Sequence, residues 1–142
     1  MVTLKFHDAA AESLPRIAII IAKAGGKWIL CKNRARGRYE LPGGHRESGE
    51  SILETAKREL REETGAVEFT IRPVCAYSVI APEDFGGEET FGMLYYAEVT
   101  ALDPTLHHEI ESILLADEPP QNWSYPLIYP RLIEEAQRRG FV

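Results

Sequence analysis

The chain has 142 residues, 44% hydrophobic and 27% charged, a balance that suits one folded domain and excludes a mainly disordered chain. Sixteen Lys and Arg against 22 Asp and Glu leave a net charge of −6, so duplex nucleic acid, which is held by a basic excess, is not an expected partner. The longest apolar run, Ile17–Ala22, is far too short for a membrane helix, and Met1–Glu12 has no apolar stretch of the secretory kind. With two cysteines, Cys31 and Cys75, and no zinc-type spacing, a cytoplasmic protein with no membrane partner is expected.

The elements are expected in the following order. Val2–Phe6 alternates weakly and reads as an edge strand, with residues 1–15 as an N-terminal extension of a single domain spanning 1–142. Arg16–Ala22 is β-branched and apolar, as a buried strand is. Gly25-Gly26 is a hairpin turn, and Lys27–Lys32 returns with Trp28, Leu30 and Lys32 on one face. A basic stretch, Asn33–Arg38, leads through Tyr39–Leu41 to Pro42-Gly43-Gly44, expected to stop any regular element.

Ser51–Thr64 carries a helix signature. Ser51 and Glu54 form a capping box, Gly65 sits at the left-handed C-terminal cap, and Leu53, Ala56 and Leu60 are expected to face a sheet. A long strand, bent near Pro73, is expected over Val67–Ile80. A Gly- and acid-rich loop follows over Ala81–Glu89, then strands over Phe91–Thr100 and Ile110–Leu115. Tyr129–Arg139 reads as a helix with Leu132, Ile133 and Ala136 inward, anchored by Trp123, Tyr125 and Tyr129. Strands and helices mix without strict alternation, which gives an α+β class with a mixed sheet between helices.

Glu59, Glu62 and Glu63 share an arc of roughly 100° on the predicted helix. Carboxylates so placed repel one another. Either Lys57, Arg58 and Arg61 balance a solvated acidic face, or a divalent cation sits among the acids. Mg²⁺ and Mn²⁺ favour such oxygen ligands and leave positions for phosphate and water. The acidic net charge repels a phosphate substrate, and a cation would reverse the sign locally.

The full pattern is longer. Gly44 is followed by five residues and Glu50, and seven more lead to Arg58-Glu59-Leu60-Arg61-Glu62-Glu63-Thr64-Gly65-Ala66. This 23-residue stretch resembles the Nudix box, the signature of the Nudix hydrolases of MutT-like type. Its one departure is Ala66, where a bulky aliphatic is usual, and the adjacent Val67 is expected to take over the packing role. The resemblance implies the Nudix fold, an α/β/α sandwich with a mixed curved sheet between helices. It also implies Mg²⁺ (or Mn²⁺) as cofactor, and a small nucleotide as substrate for a protein that is a monomer or homodimer.

Carried over residue by residue, it makes Gly43, through its carbonyl, Glu59, Glu62 and Glu63 the metal ligands. Glu59 or Glu62 becomes the general base, unless an acid from a later loop serves. Arg58 orients a glutamate, Gly44 lets the loop turn onto the helix, and Glu50 ties the loop to the helix. The implied reaction is metal-dependent hydrolysis of a diphosphate linkage in a nucleoside diphosphate derivative. A nucleoside triphosphate pyrophosphohydrolase, with oxidised dGTP as a candidate substrate, is favoured by the short chain. An ADP-ribose or nucleotide-sugar pyrophosphatase is the alternative, suggested by Pro82. A non-catalytic nucleotide-binding regulatory module is a further one, disfavoured because every box acid is kept.

Further substrate-binding candidates are Arg34, Arg36 and Arg38, as a phosphate-facing patch or a solvated hairpin edge, and Phe85, as a loop aromatic for base stacking. Glu109 and Glu111 are candidates for a later acid, as are Glu88 and Glu89. Tyr77, Phe91 and Trp28 read as core, and Cys31 as a packed thiol rather than a nucleophile.

Overall fold

A computed structural model of the chain describes residues 2–8, 14–33, 37–81, 88–103 and 110–142. The elements are β1 (Thr3–His7), β2 (Ile17–Ala24), β3 (Lys27–Asn33), β4 (Tyr39–Glu40), β5 (Gly43–His45), α1 (Ile52–Thr64), β6 (Ala66–Ile80), β7 (Glu89–Leu102), β8 (Ile110–Ala116) and α2 (Tyr129–Arg138).

Among the described residues the strands form one sheet in the order β1-β6-β7-β2-β3-β4, with β5 also paired to β2 and β8 to β3. The pairing of β2 with β7 is parallel, and the other ladders between these strands are antiparallel. The sheet is therefore mixed, and β1 lies at its edge.

Strand β2 is central because it is apolar on both faces. Ala18, Ile20 and Ala22 pack with Ile52, Ala56 and Leu60 of α1 on one side. Ile19 and Ile21 pack with Leu132, Ile133 and Ala136 of α2 on the other. Alternate residues of a strand point to opposite faces, so a continuous apolar run calls for cover on both. The result is a layered α/β/α arrangement.

The start of α1 is sealed by the capping box. The Ser51 hydroxyl accepts from the Glu54 N–H (3.1 Å), and the Glu54 carboxylate accepts from the Ser51 N–H (2.8 Å). Its end is closed by Gly65 at φ 78°, whose N–H donates to the Arg61 carbonyl at 2.9 Å. In α2, Pro130 lies in the first turn, where a missing N–H costs nothing.

Three local expectations are corrected. Leu53 is 38% exposed, and Ile52 takes the inward place, because the row 52–56–60 rather than the pair 53–56 meets the sheet. Val67 does not take over from Ala66. Ala66 is fully buried, whereas Val67 is 47% exposed, since neighbouring strand residues face opposite ways. Gly43–His45 does not stop regular structure but forms β5, laid against Ile17–Ile19 of β2. The bend expected near Pro73 is present as a register shift between Pro73 and Cys75.

Helix α2 is tied to the end of β1 by charge. The Glu135 carboxylate accepts from Arg138 and from Arg139 Nε (2.7 Å), and Arg139 Nη2 reaches Asp8 at 3.0 Å. Hydrogen bonds from Arg138, and then from Arg139, hold the Glu135 carboxyl at about 2, below its ordinary 4.5. A carboxyl depressed by folding stabilises the fold above its unfolded value and loses that contribution as pH falls through the folded one. Glu135→Gln should lower the midpoint of thermal unfolding at pH 7 by roughly 1–4 °C. The gap to wild type should then close as pH falls from about 4.5 towards 2, which melting curves across that range would measure.

Candidate active site

The site forms where β2 changes partner. At Ala22–Ala24 it pairs with β3, and at Ile17–Ile19 with β5. The chain entering α1 is thereby pressed flat onto the sheet. A Cβ at Gly43 would overlap the Ala18 carbonyl and lie 3.1 Å from Ile19 Cα. A Cβ at Gly44 would lie 2.5 and 2.6 Å from the two Glu59 carboxylate oxygens. Only glycine lets the backbone come this close to both the sheet and the helix acid.

The box residues converge on this loop. The Gly43 N–H donates to Glu63 Oε1 at 2.8 Å, joining β5 to the last turn of α1. Arg58 faces Glu47, Glu50, Glu59 and Glu62 together. Its Nε donates to Glu50 Oε2 at 2.5 Å and its Nη1 to Glu59 Oε1 at 2.6 Å and Glu62 Oε2 at 3.4 Å. Its Nη2 donates to the His45 carbonyl at 3.0 Å and to Glu50 Oε1 at 3.1 Å. Glu50 also accepts from the Glu47 N–H and the Thr55 hydroxyl, so one carboxylate stitches the loop to the helix.

The carboxylates sit in different environments. The Glu59 side chain is 14% exposed and that of Glu62 is 45%. Burial pushes the Glu59 carboxyl above its usual value; Arg58 pulls it down, and the charges of Glu62 and Glu47 raise it further. Glu50 is held at about 2, chiefly by its bond to Arg58. Burial, with Glu63, Glu40 and Glu59 nearby, raises the Cys31 thiol, so it stays protonated and packed.

Among the described residues, no three His, Cys, Asp or Glu side chains are already drawn together around a common point. Arg58 and the Gly43 N–H take up oxygens of Glu59, Glu62 and Glu63 instead. The donor chemistry nonetheless fits a hard dication. Three carboxylates lie on one helix end, one of them half-buried with its charge disfavoured by burial, beside a Gly-Gly loop that carries no side chain of its own.

Beside the loop opens a cleft of about 430 Å³, walled by Ile17, Ile19, Tyr77, Phe91 and Tyr129 with Gly43 and Gly44 on one side. The sequence reading missed it. Its walls come from β2, β5, β6, β7 and the turn before α2, and the aromatics here look like core in the sequence. Tyr77 and Tyr129 are indeed buried, but both also line the cleft. Arg38 is exposed at the end of the basic stretch. Arg34, Arg36, Pro82, Phe85 and Glu109 lie outside the described residues, as does the side chain of Glu111. Glu89 opens β7 and accepts from the Ser78 hydroxyl at 2.6 Å.

The chain matches the NUDIX domain family over residues 13–130. It is 33% identical over 124 residues to Bacillus subtilis YtkD, provisionally named an 8-oxo-dGTP diphosphatase, covering 87% of this chain and 75% of that one. The structure of the Bacillus subtilis pyrophosphohydrolase BsRppH superposes with a TM-score of 0.81 at 26% identity, over 99% of this chain and 92% of that one. The NUDIX domain of Shewanella oneidensis NrtR, complexed with ADP ribose, shares the fold at a TM-score of 0.66 and 19% identity, over 91% and 90% of the two chains. On the box geometry and these likenesses together, the chain belongs to the Nudix hydrolases, a family of pyrophosphohydrolases that generally depend on divalent metal ions.

Proposed function

We propose that the chain is a nucleoside triphosphate pyrophosphohydrolase, with dGTP and its 8-oxidised form as first candidate substrates, working with Mg²⁺ or Mn²⁺. The observation that carries this reading is the partly buried Glu59 carboxylate, bonded to Arg58 and packed against Gly44, whose backbone lines an aromatic cleft. The likeness to YtkD supports the substrate class.

On this reading Glu59, Glu62, Glu63 and the Gly43 carbonyl hold the cation. When bound, a dication neutralises phosphate oxygens and acidifies a water. The aromatic cleft takes the base, placing the phosphates over the Gly43-Gly44 backbone. Water attacks phosphorus, the bond to the bridging oxygen breaks, pyrophosphate leaves and nucleoside monophosphate remains. Glu59 or Glu62 accepts the proton from the attacking water. Arg58 does not touch substrate. It holds Glu59 and Glu62 and, through Glu50 and the His45 carbonyl, keeps the loop on the helix.

Glu62→Gln should reduce kcat with Mg²⁺ by about 100-fold or more. Its thermal midpoint should stay close to wild type, because the side chain is half-exposed. A variant that kept the wild-type rate would overturn the assignment. Gly44→Ala should lower kcat by about 100-fold through displacement of Glu59, with a smaller effect on KM, in steady-state assays. Product analysis decides the substrate class. Pyrophosphate and a nucleoside monophosphate support the proposal, whereas turnover confined to ADP-ribose or nucleotide sugars moves the chain to that class.

A further inference from the structure

Gly92 of β7 stands directly opposite Tyr77 of β6 in the sheet, and both line the cleft. A Cβ at Gly92 would overlap Cζ and the hydroxyl oxygen of Tyr77 and lie 2.6 Å from its Cε1. The hydroxyl end of the ring is therefore folded across the β7 backbone, in the space a side chain would take. Tyr77 is 3% exposed, and among the described residues its hydroxyl makes no hydrogen bond. Burial, and then the nearby Cys75 thiol, push that hydroxyl well above its ordinary 10, so it stays a neutral O–H. Tyr129 stands in the same wall; its hydroxyl is raised by burial first and by Glu40 next, with Tyr77 close enough to add to the shift. Covering a strand glycine with a ring from the neighbouring strand is a packing device that phenylalanine would serve equally. The hydroxyl is the part that packing does not call for.

We propose that Tyr77 is the residue of the cleft that reads the base: its hydroxyl hydrogen-bonds a polar atom on the edge of the bound nucleotide's base, and Gly92 lets the ring lie against the sheet so that the base has room. This rests on the nucleotide reading proposed above. A phenol offers one donor and also accepts, so a carbonyl, a ring nitrogen or an amino group can meet it. While the cleft is open, water serves as partner. A flat ring entering between Ile17, Ile19 and Tyr129 displaces that water. An apolar ring then leaves the hydroxyl unmet, whereas a nucleobase replaces the lost bond. The cleft thus admits a base by its polar edge as well as by its flat face.

The test measures the binding of dGMP, AMP and inorganic pyrophosphate, each with Mg²⁺, to wild type and Tyr77→Phe, beside the thermal midpoint of both proteins. Tyr77→Phe should weaken whichever nucleotide wild type binds by about 5- to 10-fold and leave pyrophosphate binding unchanged. Its midpoint should lie within about 1 °C of wild type or above it, since only a hydroxyl without a protein partner is removed. With dGTP as substrate the loss should fall on KM, with kcat held within about 2-fold. An unchanged nucleotide affinity overturns the inference. So does an equal loss for pyrophosphate, which would set the hydroxyl against the phosphates, and so does a midpoint lowered by several degrees, which would mark a structural role. A wild type that binds neither nucleotide overturns it outright. If no nucleoside triphosphate is turned over, but a nucleotide binds and the variant weakens it, the hydrolysis proposal fails and the assignment of Tyr77 stands.

Discussion

The site depends on one contact between layers: a strip of backbone without side chains, Gly43-Gly44, lying between the central strand and the acidic end of α1. On one side Gly43 sits against the Ala18 carbonyl, and on the other Gly44 touches the Glu59 carboxylate. The Gly43 N–H bond to Glu63 locks the strip to the helix. The distance from sheet to acid is thus one backbone thick, and any Cβ in between widens it.

The strip can lie there because β2 shares its edge between two partners. Double-sided burial keeps β2 in the middle of the sheet, while β3 pairs with it only at its far end. The freed edge at Ile17–Ile19 is filled by β5, and the cleft opens beside it, with Ile17 and Ile19 of β2 and Gly43 and Gly44 of β5 in its wall. The same arrangement that buries the core therefore positions the candidate site.

Charge at the helix end is bridged but not balanced. One guanidinium, that of Arg58, spans Glu47, Glu50, Glu59 and Glu62, so four carboxylates share one positive charge. Burial keeps the Glu59 charge uncomfortable despite that partner. A local excess of negative charge at a cleft in an acidic protein suits a cation that brings a phosphate with it.

Much of this is legible in the sequence. Periodicity marks β2 as buried, the capping box and Gly65 bracket α1 to within a residue, and the fixed spacing from Gly44 to Ala66 singles out the candidate acids and the arginine that the structure brings together. These are local signals, carried by neighbours along the chain. What the sequence does not show is which face Leu53 and Val67 take, that Gly43–His45 joins the sheet, and that Glu40, Tyr77, Tyr125 and Tyr129 share a cleft. Those depend on the register between distant strands, and one step of register exchanges core for surface. Composition and spacing determine which groups can do the chemistry, and packing of distant segments decides which of them meet.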